Sequence, residues 1–283
     1  MKRLLALVLA LSIVTTAALA LAQDTLEKIK STGVLTIGTR TGSPPFAYVD
    51  KANRWVGFSI DLVEGLVKPE VENAVGRTIK IEKKESTPPT RIPLLSSNAV
   101  DLIAGTMTDT PQRRESVDFS LTFFYTGAQF MVKKGSPIKG IADIAGKRVA
   151  TQQGSTNEKI LREKYPQTQL RAFPDQPAAF QALLQGQVDA FTNDGIQLYG
   201  LKAKAPRPDD WDVVGDFYSE EPYGMAMRKG DARFKAVVDA ALRKGFESGK
   251  YFEVYDKWFG PKGELPYPMT PQVRAYLLKQ IGK

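Results

Sequence analysis

The chain has 283 residues, 42% hydrophobic and 25% charged, values that exclude a disordered tail, a collagen-like fibre and a bundle of membrane spans. Its 39 Lys and Arg exceed its 31 Asp and Glu for a formal charge of +8, and it contains no Cys and no His. Disulfides, Cys/His zinc sites, cysteine-linked lipids and imidazole bases are therefore excluded, and most enzyme classes with them. The length suits about two domains, each large enough to bury its own core.

Met1-Lys2-Arg3, the apolar run Leu4–Val14 and the small residues up to Ala20-Leu21-Ala22 read as a secretory signal over residues 1–22, cut before Gln23. The alternative is an uncleaved anchor, since the run is nearly long enough to span a bilayer. Thr15, Thr16 and the alanines favour cleavage, which lowers the charge from +8 to +6 because it removes Lys2 and Arg3 and no acid. Without a cysteine to carry a lipid, the exported protein is retained only by a second membrane, so the periplasm is the expected location. Lys and Arg are interspersed with acids, the pattern of a solvated surface, and no nucleic-acid partner is expected.

Along the mature chain, Thr25–Ser31 reads as a short helix stopped by Gly33, and Val34–Thr39 as a strand ending in the turn Gly42-Ser43-Pro44-Pro45. Phe58–Leu66 has helical spacing, Thr78–Lys83 alternates as a strand, Arg91–Leu95 opens a helix and Val100–Gly105 is a short strand. A second series follows: strands at Phe130–Val132, Arg148–Thr151 and Val188–Thr192, with helices from Gly154 to Tyr165 and Ala178 to Gln185. Beyond the strand-like Tyr223–Met227 come helices over Phe234–Ser248, Tyr251–Trp258 and Pro271–Gln280. Alternating strands and helices predict parallel sheets covered by helices, hence two α/β lobes facing a cleft, with ligands at the carboxyl ends of the strands.

The residues at those ends suit a free α-amino acid. Arg40 follows the first strand; Thr106, Thr108 and Arg113 follow the strand that ends at Gly105, with Asp109 or Thr110 as a helix cap and Pro111 at the first helical position. Ser155 and Glu158 have capping-box spacing, and Asn193 and Asp194 terminate Val188–Thr192. Arg113 can grip a carboxylate through paired hydrogen bonds, with Thr108 and helix N-terminal amides as further donors, while Asp194 can pair with the ammonium. Each residue also has a plainer reading: Thr108, Ser155 and Asp194 as caps, Arg113 as a surface ion pair.

Four stretches carry a resemblance: Gly57-Phe58-Ser59-Ile60-Asp61-Leu62, Arg91-Ile92-Pro93-Leu94-Leu95, Gly105-Thr106-Met107-Thr108 and Arg113-Arg114-Glu115-Ser116-Val117-Asp118-Phe119-Ser120. In this order, from about Leu26 to Phe259, the chain resembles the family 3 solute-binding proteins of polar amino-acid ABC transporters. Arg40 before Pro45-Phe46, the stretch Ala203–Trp211 and Tyr223-Gly224-Met225 are similar to the glutamate/aspartate-binding branch. The resemblance implies an α/β fold, the two-lobed periplasmic binding protein (type II) with a hinged cleft. It implies that Arg113, Thr108, Ser155 and Thr156 hold the ligand α-carboxylate, Asp194 and Thr106 its α-ammonium, and Arg40 and Arg91 a side-chain carboxylate. Phe46 and Tyr48 become cleft walls, with core packing as the alternative.

Two positions depart from the branch: Gln176 stands where it tends to place a histidine, and Pro88 where a serine is expected beside Arg91. Glutamine donates to a carboxylate or accepts from an amide, leaving glutamine and asparagine as alternative ligands. Charge favours an acid: three arginines against Asp194 leave an excess of two positive charges, which a glutamate or aspartate anion lowers to one.

The expected division is lobe 1 over 23–128 plus 221–283 and lobe 2 over 129–220, with hinges near Gly127 and Glu221. Ligand shifts the population to a closed form that docks on an inner-membrane ABC permease. The chain is expected to be a monomer without metal or cofactor and without catalysis. The rivals are a periplasmic dehydratase-type enzyme, with Glu158 or Asp194 as acid/base, and a sensor module for a receptor.

Overall fold

The computed structural model describes residues 24–283; the signal reading over 1–22 lies outside the described residues. The first half of the chain runs α1 (Thr25–Thr32), β1 (Val34–Thr39), β2 (Gly42–Ser43), β3 (Ala47–Val49), β4 (Trp55–Val56), α2 (Phe58–Leu62), a π turn (Val63–Val67), α3 (Lys68–Val75), β5 (Lys80–Glu85), α4 (Arg91–Ser96), β6 (Leu102–Ile103), α5 (Pro111–Arg114) and β7 (Val117–Thr126). The rest runs β8 (Ala128–Lys133), β9 (Arg148–Gln152), α6 (Thr156–Lys164), β10 (Gln169–Phe173), α7 (Gln176–Leu184), β11 (Ala190–Asp194), α8 (Gly195–Ala203), β12 (Trp211–Val214), β13 (Glu221–Arg228), α9 (Ala232–Ser248), α10 (Lys250–Phe259) and α11 (Pro271–Lys279).

Two five-stranded sheets carry the fold, in the orders β5-β1-β6-β13-β7 and β10-β9-β11-β8-β12, beside a small antiparallel sheet β2-β3-β4. Neither large sheet is wholly parallel, contrary to the expectation. β13 runs antiparallel to β6 and β7, and β8 antiparallel to β11 and β12. The reason is the path of the chain. It leaves the first sheet along β7, turns at Gly127 directly into β8 of the second, and returns along β13; β13 runs against β6 and β7, and β8 against β11 and β12.

Local chemistry sets the elements that position the cleft. Asp24 accepts a hydrogen bond from the Leu26 N–H to start α1, and Gly33, at φ 72°, ends it in the left-handed conformation. Thr110 accepts from the Arg113 N–H with Pro111 at the first helical position, which fixes the single turn of α5. β11 lies two residues later than the alternation suggests, so Asn193 and Asp194 are its last residues rather than its successors.

The largest core packs the inner helices against the first sheet. Phe46, Phe58, Phe124, Tyr223, Tyr255 and Phe259 meet there edge-on, stacked or tilted, at centroid separations of 4.9–6.0 Å. The Tyr251 hydroxyl in α10 donates to the Phe123 carbonyl of β7 at 2.6 Å, tying the C-terminal helices to the strand that leads to Gly127. Separate clusters around Phe191 and Phe130 fill the two faces of the second sheet. Among the described residues, no helix is long and apolar enough to cross a membrane.

Candidate functional site

The carboxyl ends of β1, β6, β9 and β11 converge where the two sheets face each other. Thr108, past β6, forms an antiparallel bridge with Tyr223 of β13. Its carbonyl accepts from Arg113 Nη1 at 2.8 Å, which orients the guanidinium at the mouth of the cleft. Arg91, in the first turn of α4, is buried and donates from Nη1 to the Thr106 carbonyl at 2.9 Å. From the opposite lobe, α6 presents its N-terminus. Ser155 accepts from the Glu158 N–H at 3.1 Å, and the Glu158 carboxylate accepts from the Gly154 N–H at 2.6 Å, one residue ahead of the usual capping-box return.

Asp194 is buried and accepts three hydrogen bonds, which leaves an acceptor site open. It accepts from Asn157 Nδ2 and Gln197 Nε2, both at 2.9 Å, and from the Tyr223 hydroxyl, which reaches it from the other sheet. Burial pushes its carboxyl above the usual range, against the pull of Tyr223, Asn157, Gln197 and the Arg113 charge. The guanidiniums are shifted the other way. Burial holds Arg40 down to about 10 and Arg91 well below its usual value, Arg91 also because Arg40 and Arg113 stand near it; Arg113 is lowered by burial, with Glu221 and Asp194 opposing. Three neighbouring guanidiniums in a desolvated site call for an anion.

The structure therefore brings Arg91, Arg113, Thr106, Thr108, Ser155, Thr156, Gln176 and Asp194 to one cavity of about 20 Å³. Arg40 stands behind it, buried, with Nη1 3.3 Å from Gln152 Oε1 across the cleft. Gln176 belongs to an amide cluster: the Ser43 hydroxyl donates to Gln176 Oε1 at 2.9 Å, and Gln176 Nε2 donates to Gln197 Oε1. Three donors on the cavity wall have no partner among the described residues: Arg91 Nε, Gln152 Nε2 and Asn193 Nδ2. Buried unmet donors of this kind are costly and mark a place for acceptors.

Phe46 and Tyr48 do not line this cavity. Phe46 is wholly buried in the aromatic core against Phe58, Phe124, Tyr223 and Phe259. Tyr48 packs on Trp258 and donates its hydroxyl to Glu264 at 2.5 Å. Their loop folds down onto the C-terminal helices, where Phe46 is wholly buried and Tyr48 half-buried.

Other site residues escape the sequence reading. Glu221, expected only as a hinge marker, is 1% exposed and accepts from the Thr108, Thr156 and Ser219 hydroxyls. Burial, then the charge of Asp194, pushes its carboxyl up to about 7. Counting it leaves three guanidiniums facing two carboxylates rather than one. Gln197, Asn157 and Gln152 are likewise brought in by α8, α6 and the end of β9, beside Asn193 at the strand end already noted. Only the position of Glu221 beside an expected hinge could have pointed to it; a lone Gln or Asn in a helix carries no spacing signal.

The profile of the bacterial extracellular solute-binding proteins, family 3, matches residues 35–261. An L-glutamate/L-aspartate-binding protein of Pseudomonas aeruginosa is 37% identical over 92% of this chain and 89% of its own length. The ABC transporter glutamine-binding protein GlnH of Bacillus subtilis is 35% identical over 83% of this chain and 85% of its own. Among solved structures, the ancestral amino acid-binding protein AncCDT-1, described as a precursor of cyclohexadienyl dehydratase, superposes with a TM-score of 0.74 at 33% identity, covering 83% of this chain and 99% of that one. With a hinged pair of α/β sheets, an anion-seeking cleft and a profile match along most of its length, the chain belongs to the bacterial extracellular solute-binding proteins, family 3.

Proposed function

We propose that the protein captures an acidic amino acid, glutamate or aspartate, in the periplasm and delivers it to an inner-membrane ABC permease. The observation that carries this reading is the polarity of the cavity: the guanidiniums of Arg91 and Arg113, with Arg40 buried behind them, and the unmet donors of Arg91, Gln152 and Asn193 surround one lining carboxylate, Asp194, with Glu221 buried beside it. A ligand with two carboxylates supplies acceptors to those donors and offsets the positive excess, whereas an amide side chain adds two more N–H groups and no charge. The relatives that bind glutamate, aspartate or glutamine support the class of ligand.

In this reading Arg113, Thr108, Ser155 and Thr156 hold the α-carboxylate, Asp194 with Thr106 the α-ammonium, and Arg40, Arg91 and Gln176 the side chain. Lobe 1 comprises 23–128 plus 221–283 and lobe 2 129–220, after loss of the 1–22 signal. A cavity of about 20 Å³ admits about one water, so an amino acid enters only when the lobes part at Gly127 and near Glu221, and the closed form completes contacts from both sides. The protein acts as a monomer, without cofactor or nucleic-acid partner.

We also propose that it does not catalyse. The dehydratase reading needs a carboxylate free to move a proton to substrate. Asp194 is engaged by three donors, and Glu158 is bound to the Ser155–Gly154 cap and to Arg162. Calorimetry of the mature protein against the twenty amino acids tests both proposals. Binding of glutamate or aspartate in preference to glutamine, with no product formed, is the expected result; preference for an amide, or turnover, overturns it.

A further inference from the structure

We infer that Glu221 is a positioning residue whose proton sets the direction of the Thr108 and Thr156 hydroxyls, so that capture of an amino-acid carboxylate in the cleft takes up a proton. This rests on the proposed assignment of those two hydroxyls to the ligand carboxylate.

Glu221 opens β13, where the chain returns to the first sheet. Its Oε2 accepts from the Thr108 hydroxyl beyond β6 and, at 2.9 Å, from the Thr156 hydroxyl at the start of α6; its Oε1 accepts from the Ser219 hydroxyl at 2.7 Å. Donors from both lobes and from the crossing segment thus converge on one carboxylate. A hydroxyl has a single proton. While Glu221 is ionised, Thr108 and Thr156 direct theirs to it and can turn only lone pairs towards a ligand, which repel a carboxylate. A protonated Glu221 instead donates from Oε2 to one threonine oxygen, and that threonine's own proton is released to the ligand. Protons and bonds balance: one proton enters from solvent, one bond to Glu221 reverses, and one hydroxyl–carboxylate bond forms.

The groups around Glu221 favour this. Asp194, at the end of β11, opposes a second negative charge; burial raises its own carboxyl, against the hydrogen bonds of Tyr223, Asn157 and Gln197. Arg113 of α5 is the facing cation, and Tyr218 and Tyr223, both pushed above their usual values by burial, stay neutral. Glu220 precedes it, and Glu158 and Lys159 of α6 share with it an outer groove of about 1070 Å³ that gives the proton a route to solvent. Burial and Asp194 place Glu221 at about 7. With no His and no Cys in the chain, the competing ordinary group near neutrality is the N-terminal amine.

The sign follows. Below the free-state value Glu221 is already protonated and binding takes up no proton. Above it, binding takes up approaching one proton, and affinity falls by up to about tenfold per pH unit. Titration of the mature chain with L-glutamate from about pH 6 to about pH 8.5, in phosphate and in Tris, reads the uptake as a buffer-dependent heat. Glu221→Gln, which keeps an N–H for the threonines, is expected to bind across the range with a flat dissociation constant and no buffer-dependent heat; an N-terminal contribution would persist in it. Buffer-independent heats with a constant affinity in the wild type, or full proton uptake in Glu221→Gln, overturn the inference and leave the proposed function standing. Failure of the wild type to bind any amino acid at any pH overturns both. If the variant does not fold, the wild-type heats decide alone.

Discussion

Arg113 and Asp194 are legible as site residues because strand ends and helix caps announce themselves in the sequence. Thr110-Pro111 starts a turn that can point only a short distance from β6, and Arg113 is within it. Phe46 and Tyr48 were not legible in the same way. An aromatic beside a turn has the same pattern whether it faces a ligand or a core, and only the docking of α10 decides. Glu221 is one of two adjacent glutamates; burial separates it from Glu220, and burial is a tertiary property. In the proposed reading, ligand binding turns on Arg113. Its loss leaves a desolvated carboxylate without its partner, costing on the order of 3–5 kcal/mol of binding. Arg113→Ala is expected to weaken L-glutamate binding by at least about a hundredfold in calorimetry at neutral pH, since only one of its bonds, to the Thr108 carbonyl, serves the fold. Wild-type affinity in this variant would remove it from the carboxylate site.

Helices with clear caps and strands with clean alternation were found by pattern, and the elements that pattern missed have physical reasons. β7 is buried on both faces along most of its ten residues, so no alternation marks it. β10 is an edge strand with three of its five residues exposed, and α8 begins directly after Asp194 without a side-chain cap. α8 nevertheless sets how close the lobes come. A side chain at Gly200 would press into the Pro44 carbonyl at less than van der Waals distance, and one at Gly42 would stand 2.7 Å from Pro177 of α7. These glycines let the small sheet of the first lobe meet the helices of the second. Gly200→Ala therefore costs the closed form rather than either core, by roughly 1–3 kcal/mol of overpacking. The expected outcome is L-glutamate affinity about tenfold weaker, through a smaller population of closed molecules. The thermal midpoint of the free protein should stay within a degree or two of wild type. A midpoint that falls steeply with unchanged affinity would place Gly200 in a core instead.

At the scale of the molecule, two sheets are joined by two crossings and bridged across the cleft by Tyr223–Asp194, Thr156–Glu221 and Arg40–Gln152. A ligand that binds only the folded form stabilises it by about 2.7 kcal/mol at a hundred times its dissociation constant. For a chain of this size that corresponds to a rise in thermal midpoint of roughly 5–10 °C. L-glutamate is expected to produce this shift in the wild type and at most about 1–2 °C in Arg113→Ala at the same concentration, as read by differential scanning calorimetry. A shift of equal size in both would mean that glutamate binds elsewhere. By itself the sequence determined the class of fold, the order of most elements and the charged residues at the strand ends, because periodicity, caps and charge are local properties of the chain. The closing of the sheets with antiparallel members, the removal of Phe46 and Tyr48 to the core and the recruitment of Glu221, Gln197 and Asn157 were decided only by tertiary structure. Each depends on which distant surface buries a group and which donor then reaches it.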